Sequence, residues 1–141
     1  MTANVNPIYT RTPDIQWITA ITAASNTDLT SGTSYLIFTA DATEGGFVRE
    51  VRIKAKPGQN TAGTVARLWI NNGSTVATQA NSVLITEQAL PATTASATLP
   101  QVDFVLALNI ALPAGYKLYL NLGTAPGGSG EFMAAAIAGK Y

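Results

Sequence analysis

The sequence predicts an all-β protein, a single-domain antiparallel β-sandwich of eight or nine strands. Hydrophobic residues recur with a period of two, and turn residues interrupt the chain about every ten residues, a pattern typical of sandwiches and barrels. The alanine run in EFMAAAIAG has high helix propensity, but three glycines stand just before it and no other helical pattern occurs, so we predict a strand there as well.

The clearest strand is VDFVLALNIAL, in which alternate residues from Val102 to Leu112 are large and apolar and define a core face. The residues between them, Asp103 to Ala111, form the other face, whose middle we expect to be at least half covered. The same alternation predicts further strands at 15–23, 33–40, 47–55, 64–71, 74–78 (weak), 83–87, 116–123 and 131–138.

Two β-hairpins are predicted from turn residues. Pro113, Ala114 and Gly115 separate the strands 102–112 and 116–123. Asn71, Asn72 and Gly73 separate 64–71 from 74–78, and Asn-Gly favours the tight turn whose twist matches that of paired strands. The irregular stretch 91–100 is long enough to be a crossover between sheets or a contact arm.

The chain of 141 residues is long enough for one hydrophobic core. Pro7 and Pro13 indicate an extended N-terminal arm over residues 1–14, followed by the sandwich domain over 15–141. The first residues have no apolar segment of signal-peptide length, and the most apolar region, 102–122, is interrupted by polar residues and proline. We therefore expect a soluble protein made without export.

The charge content favours an assembly subunit. Eight basic and eight acidic residues cancel, and 11% of residues are charged, against about 25% in a typical domain. A neutral surface has no long-range repulsion to keep copies or partners apart.

The chain has no Cys and no His, which excludes disulfides, thiolate metal sites and imidazole catalysis. A pair of carboxylates could still hydrolyse glycosides, but no spacing singles out a pair among Glu50, Glu87, Asp103 and Glu131. DATEGG lacks the pattern of a calcium loop, and APGGSG lacks the Lys-Ser or Lys-Thr of a phosphate loop, so both are predicted to be turns. We expect a protein that is not an enzyme, with no catalytic residues, metal or cofactor.

Aromatic side chains on strand faces could instead stack on sugars. The candidates, all predicted to lie opposite the main core residues, are Trp17, Tyr35, Trp69 and Tyr119. The alternative is that both strand faces are covered in an oligomer.

The stretch VREVRIKAKPG holds half of the cations. Alternation places Phe47 and Arg49 on the face of Val51, Ile53 and Ala55, and places Arg52, Lys54 and Lys56 with Val48 and Glu50 on the other face. Three cations beside an acid are a weak signal for nucleic acid. We interpret this face as solvent-exposed or bound to an acidic partner, and predict the contact residues Arg52, Lys54, Lys56 and, in the arm, Tyr9 and Arg11.

In composition and in the order of its strands and turns, the whole chain resembles the small β-sandwich cement or decoration proteins of tailed bacteriophage capsids. The features that carry the resemblance are the arm NPIYTRTPDIQW, the Ala/Thr-rich strands, RLWINNGS, LPAGYKLYLNLGT and the lack of Cys and His. The resemblance implies a jelly-roll-like sandwich, commonly a homotrimer, on the outer capsid surface of a virion. It also implies synthesis in the host cytoplasm and a major capsid protein as partner, with no nucleic acid, membrane or small-molecule substrate. A carbohydrate-binding or structural domain of a phage tail or fibre is the alternative.

Overall fold

The computed structural model describes residues 10–141 and contains eight β-strands. The strands are β1 (Thr12–Ile21), β2 (Tyr35–Thr39), β3 (Gly46–Ala55), β4 (Thr64–Asn71), β5 (Ser82–Leu90), β6 (Asp103–Leu112), β7 (Lys117–Leu122) and β8 (Phe132–Lys140). The one helix among the described residues is a 3-10 turn at Gln79–Asn81, and nothing in that range could cross a membrane as a helix. The all-β prediction is confirmed.

The strands form two four-stranded sheets with antiparallel pairing throughout. The first sheet has the order β1-β8-β3-β6 and the second has the order β2-β7-β4-β5. Every connection passes from one sheet to the other except that between β4 and β5, which gives the order of an eight-stranded jelly roll. Residues 91–102 make one of these crossings, between β5 and β6, as their length predicted.

The core lies between the two sheets and is formed by alternate side chains of all eight strands. In β6, Leu106 and Leu112 are buried, and Phe104, Leu108 and Ile110 pack against the core, so the predicted core face is confirmed from Phe104 onward. Val102, predicted on the same face, precedes the strand and is 39% exposed. The outward face of β6 is more open than predicted, because Val105 is 48% exposed and its outward neighbours are exposed too.

The predicted hairpin between 102–112 and 116–123 is wrong. β6 pairs with β3 in the first sheet, whereas β7 pairs with β2 and β4 in the second. The turn at Pro113–Gly115 therefore carries the chain across the sandwich. Alternation identified the inward faces of β6 and β7 correctly, but an inward face does not determine whether two strands lie side by side in one sheet or opposite each other across the core.

The second predicted hairpin joins β4 to a different strand. β4 pairs with β5, and residues 74–78 form no strand, so a loop over 72–81 replaces the tight turn. The buried side chain of Asn71 explains the loop: its Oδ1 accepts a hydrogen bond from the Gly73 amide at 2.8 Å, and its Nδ2 donates to Ser82 Oγ at 2.9 Å. Asn71 thus ties both ends of the loop together.

β1 begins at Thr12, inside the predicted arm. Pro13 is compatible with this position because β1 is an edge strand, where one side of the backbone needs no partner. The earlier part of the arm, residues 1–9, lies outside the described residues.

Candidate docking surface

The outward side chains of the first sheet form a continuous surface, which we name the docking face. Strand register arranges them in rows across the sheet. The central row, from β1 to β6, is Trp17, Ala135, Arg52 and Val105. On one side lies the row Ile15, Ile137, Glu50 and Ala107, and on the other lie Met133, Lys54 and Asp103.

The docking face exposes more apolar surface than a solvated strand face needs. Trp17 is 67% exposed, Ile15 is 50% exposed and Val105 is 48% exposed. Between Trp17 and Arg52 the row holds the small side chain of Ala135. Trp17 and Ile15 are neighbours on β1, whereas Val105 lies beyond Arg52 on β6, and exposed apolar side chains among polar groups are typical of protein contact sites.

A β-bulge at Arg49 sets which side chains of β3 reach the docking face. The register against both β6 and β8 shifts between Val48 and Glu50. Val48 and Val51 are therefore both buried although they are three residues apart. The prediction that Arg49 and Phe47 share the face of Val51 is wrong, because unbroken alternation was assumed.

The charges at the centre of the docking face are paired with one another. Arg52 Nε donates a hydrogen bond to Glu50 Oε1 at 2.9 Å, and Arg49 Nη2 lies 3.4 Å from the same oxygen. Arg52 Nη1 is also 3.9 Å from Asp103 Oδ2. The hydrogen bond from Arg52 lowers the pKa of Glu50, with Arg49 adding to the effect. The face therefore presents opposite charges side by side.

The predicted contact residues do not form one cluster. Arg52 and Lys54 lie on the docking face. Lys56 follows the end of β3 and forms an ion pair with Glu131. Arg11 precedes β1 at the opposite end of the sheet, where it pairs with Glu44 and its amide donates to the Lys140 carbonyl at 2.9 Å. Tyr9 lies outside the described residues.

Of the four aromatic candidates, Trp17 is the one that stands exposed on a strand face. Trp69 does lie opposite the core, but it is 7% exposed, and its Nε1 donates to the buried Asn121 Oδ1 at 3.0 Å. Asn121 Nδ2 in turn donates to the Asn26 carbonyl at 3.2 Å, so the loop between β1 and β2 reaches this part of the second sheet. Trp69 is therefore not an accessible platform for a sugar ring.

The two tyrosines differ from each other. Tyr119 is half-buried and pairs with Trp69 across β7 and β4. Tyr35 packs against the core instead, and its hydroxyl oxygen accepts hydrogen bonds from the amides of Thr22 at 3.0 Å and Ala23 at 2.8 Å.

The four carboxylates considered for catalysis each lie beside a cation. Glu87 accepts from Arg67 Nε at 2.6 Å, Glu131 pairs with Lys56, and Glu50 and Asp103 both lie near Arg52. Within residues 10–141, no three acidic side chains come close enough to hold a metal ion.

An open groove of about 480 Å³ lies among the loops at one end of the sandwich. Its walls are residues 58–62, Ala95 and residues 126–129. The walls carry no charged side chain, and Gly127 and Gly128 there adopt positive φ in a turn, as predicted for APGGSG. The groove therefore offers mainly backbone and small polar groups.

No family model matches the chain, and neither does any curated protein. Among solved structures, the chain is similar to one of infectious bursal disease virus, Gt strain, with 14% identity, coverage of 98% of this chain and 36% of that chain, and a TM-score of 0.32. A structure of the Gx strain gives 12% identity, coverage of 99% and 37%, and the same TM-score. The chain thus spans about a third of the length of the structures it resembles. So weak a likeness does not establish a common fold, and the jelly-roll assignment rests on the strand order.

Proposed function

We propose that the chain is a non-enzymatic virion structural protein that binds the outer surface of a phage capsid and stabilises contacts between major capsid subunits. The observation that carries the proposal is the docking face: a partly apolar sheet surface with paired charges, on a jelly roll. Such a surface suits contact with another protein better than binding a small ligand, which usually requires a concave pocket.

The chemistry of the chain supports a contact role. The chain has no imidazole and no thiol. The candidate catalytic carboxylates Glu50, Glu87 and Glu131 each form an ion pair with a Lys or Arg side chain. A zero net charge favours close packing of many copies. The proposal includes three copies at each capsid site, as the sequence resemblance implies.

Binding to capsids tests the proposal. Purified protein is incubated with shells that lack it, and electron microscopy measures the occupancy and position of added density. We expect saturable density on the outer surface and shells that resist heating better. Bare shells at saturating protein would refute the proposal.

A double variant, Arg52→Glu with Lys54→Glu, asks whether the cations of the docking face contribute to capsid binding. Both side chains point away from the core, so we expect the protein to fold, with a lower thermal midpoint because Glu50 loses its hydrogen bond from Arg52. Occupancy should fall if these cations meet an acidic capsid surface. Val83→Ala, which alters a 58% exposed residue of the second sheet, is the matched control.

The exposure of Trp17 supports a second candidate, a carbohydrate-binding domain of a tail or fibre. A sugar ring could stack on the indole above Ala135, within reach of polar groups of Arg52. Glycan-array binding that Trp17→Ala abolishes and Trp17→Phe largely retains would favour this function. Absence of glycan binding by the unaltered protein would exclude it.

A further inference from the structure

We propose that the docking face pairs with the same face of a second copy of this chain, about a two-fold axis along the row Trp17, Ala135, Arg52 and Val105. The inference rests on the proposed function in treating the docking face as a contact surface, and it implies that a capsid must displace the second copy before it binds that face. It concerns the free protein, so it can be tested without capsids.

The size of the docking face is close to what a stable pair requires. Four strands about 4.8 Å apart, each about ten residues long, cover a flat area of about 650 Å². A standard protein interface buries about 800 Å² on each partner. The roughness added by Trp17, Ile15 and Val105 brings the accessible area nearer to that value.

The charge pattern decides the orientation of the pair. Aligned sheets that pack face to face can be related by a two-fold axis along the strands or across them. An axis along the strands would set β3 of one copy over β8 of the other, and so place Arg52 and its neighbours over Ala135 and Ile137. Lys54 would then lie over Met133 of the other copy and lose water without gaining an opposite charge across the interface, which is unfavourable.

An axis across the strands sets β3 over β3 of the second copy, running in the opposite direction. If the axis passes through Arg52, Glu50 of each copy lies opposite Lys54 of the other, because these residues are equally spaced on either side. Two identical pairs of opposite charges then form across the interface. Ile137 meets the second copy's Met133 in the same way, and Asp103 lies over Ala107 while it keeps Arg52 of its own chain as a neighbour.

The groups on the axis itself meet their own counterparts. Trp17 of each copy is 67% exposed and would become covered by the other indole, and aromatic pairs are favourable beyond the area that they bury. Arg52 also approaches its counterpart, but each guanidinium is already hydrogen-bonded to Glu50 and lies near Asp103. The two arginines therefore meet as neutralised groups.

An isologous contact joins copies in twos, so it predicts an even number of chains. The free protein should be a dimer, or a hexamer if a trimer forms through another surface. Light scattering during size-exclusion chromatography measures this mass over a dilution series. A monomer at every concentration, or a trimer, would refute the two-fold contact.

Substitution of Trp17 tests the position of the interface. Trp17→Ala should halve the mass at concentrations where the unaltered protein is paired, and should weaken the pair by about tenfold or more, because a large aromatic side chain that the pair covers is removed. Val83→Ala on the second sheet should leave the mass unchanged. Equal masses for all three proteins would place the contact elsewhere.

Charge reversal tests the orientation. Glu50→Lys and Lys54→Glu each place like charges opposite one another in the pair, so each variant alone should associate about tenfold more weakly. In an equimolar mixture, the Glu50→Lys copy presents two lysines to the two glutamates of the Lys54→Glu copy. The measured molecular mass should therefore return to that of the pair. Since mixing changes nothing within a chain, recovery can arise only between copies. A mixture that stays monomeric, or single variants that pair normally, would refute the orientation.

The two proposals fail separately. Protein that pairs in solution but leaves shells bare would refute capsid binding and keep the two-fold contact. Protein that decorates shells but never pairs would do the reverse.

Discussion

Gln16 links the two sheets through its side-chain amide. Its Nε2 donates to the Thr39 carbonyl at 2.9 Å, and its Oε1 accepts from the Thr39 amide at 2.9 Å, so one side chain satisfies both backbone groups of a residue in the opposite sheet. We expect Gln16→Ala to lower the free energy of unfolding by about 1–3 kcal/mol, because two partly buried backbone groups lose their partner. Chemical denaturation measures the loss.

Gln79→Ala is the control for this substitution, since Gln79 is exposed in the 3-10 turn. It should change stability by less than about 0.5 kcal/mol. If Gln16→Ala and Gln79→Ala unfold at the same denaturant concentration, the amide of Gln16 contributes nothing to holding the sheets together.

The two tryptophans show what sequence can and cannot predict about single residues. Alternation placed both opposite the core, and the structure confirms this for each. Exposure nevertheless differs from 67% for Trp17 to 7% for Trp69, because a distant loop is hydrogen-bonded to Asn121 beside Trp69. Loop placement depends on contacts between residues far apart in sequence, and no local pattern encodes it.

The bulge in β3 is a feature of the element that hydrophobic periodicity could have revealed. Val48 and Val51 are both buried, which requires one extra residue between them. Deleting Arg49 would restore strict alternation through Val48, Glu50, Val51 and Arg52, and would also make the register against β8 regular. We therefore expect the Arg49 deletion to fold, as measured by circular dichroism and a cooperative thermal transition.

Deletion of Arg52 is the matched control, because it removes one residue from the same strand without removing an irregularity. Val51 and Ile53 would become neighbours, and one of them would have to leave the core. This deletion should abolish cooperative unfolding. Equal behaviour of the two deletions would show that the bulge does not set the register of β3.

Strand positions were largely predictable, whereas strand partners were not. Seven of the eight observed strands overlap predicted ones closely, and β5 extends beyond its prediction to Leu90. The pairing of β6 with β3 and of β7 with β4 is a global property of the sandwich, since Leu106 and Leu118 are buried whichever neighbour each strand has. The docking face was missed for the same reason: its rows combine β1, β8, β3 and β6, which are distant in sequence.

At the scale of the whole molecule, stability between pH 8 and pH 2.5 should change only at the acid end of this range. The chain has no His or Cys, so few groups titrate between about pH 6 and 8, and stability should be flat there. Folding lowers the pKa of Glu50 through Arg52, of Asp41 through the amides of Glu44 and Thr43, and of Asp28 through Thr30. A carboxyl whose pKa is lower in the folded state stabilises the fold above its unfolded pKa, and this contribution disappears as the pH falls below about 4. Thermal midpoints measured from pH 8 to pH 2.5 should therefore be constant and then drop.

The variant Asp41→Asn tests one of these carboxyl groups. Its amide oxygen can still accept both hydrogen bonds but does not titrate, so its thermal midpoint should fall less steeply in acid than that of the unaltered protein. An equally steep fall would contradict the role of Asp41.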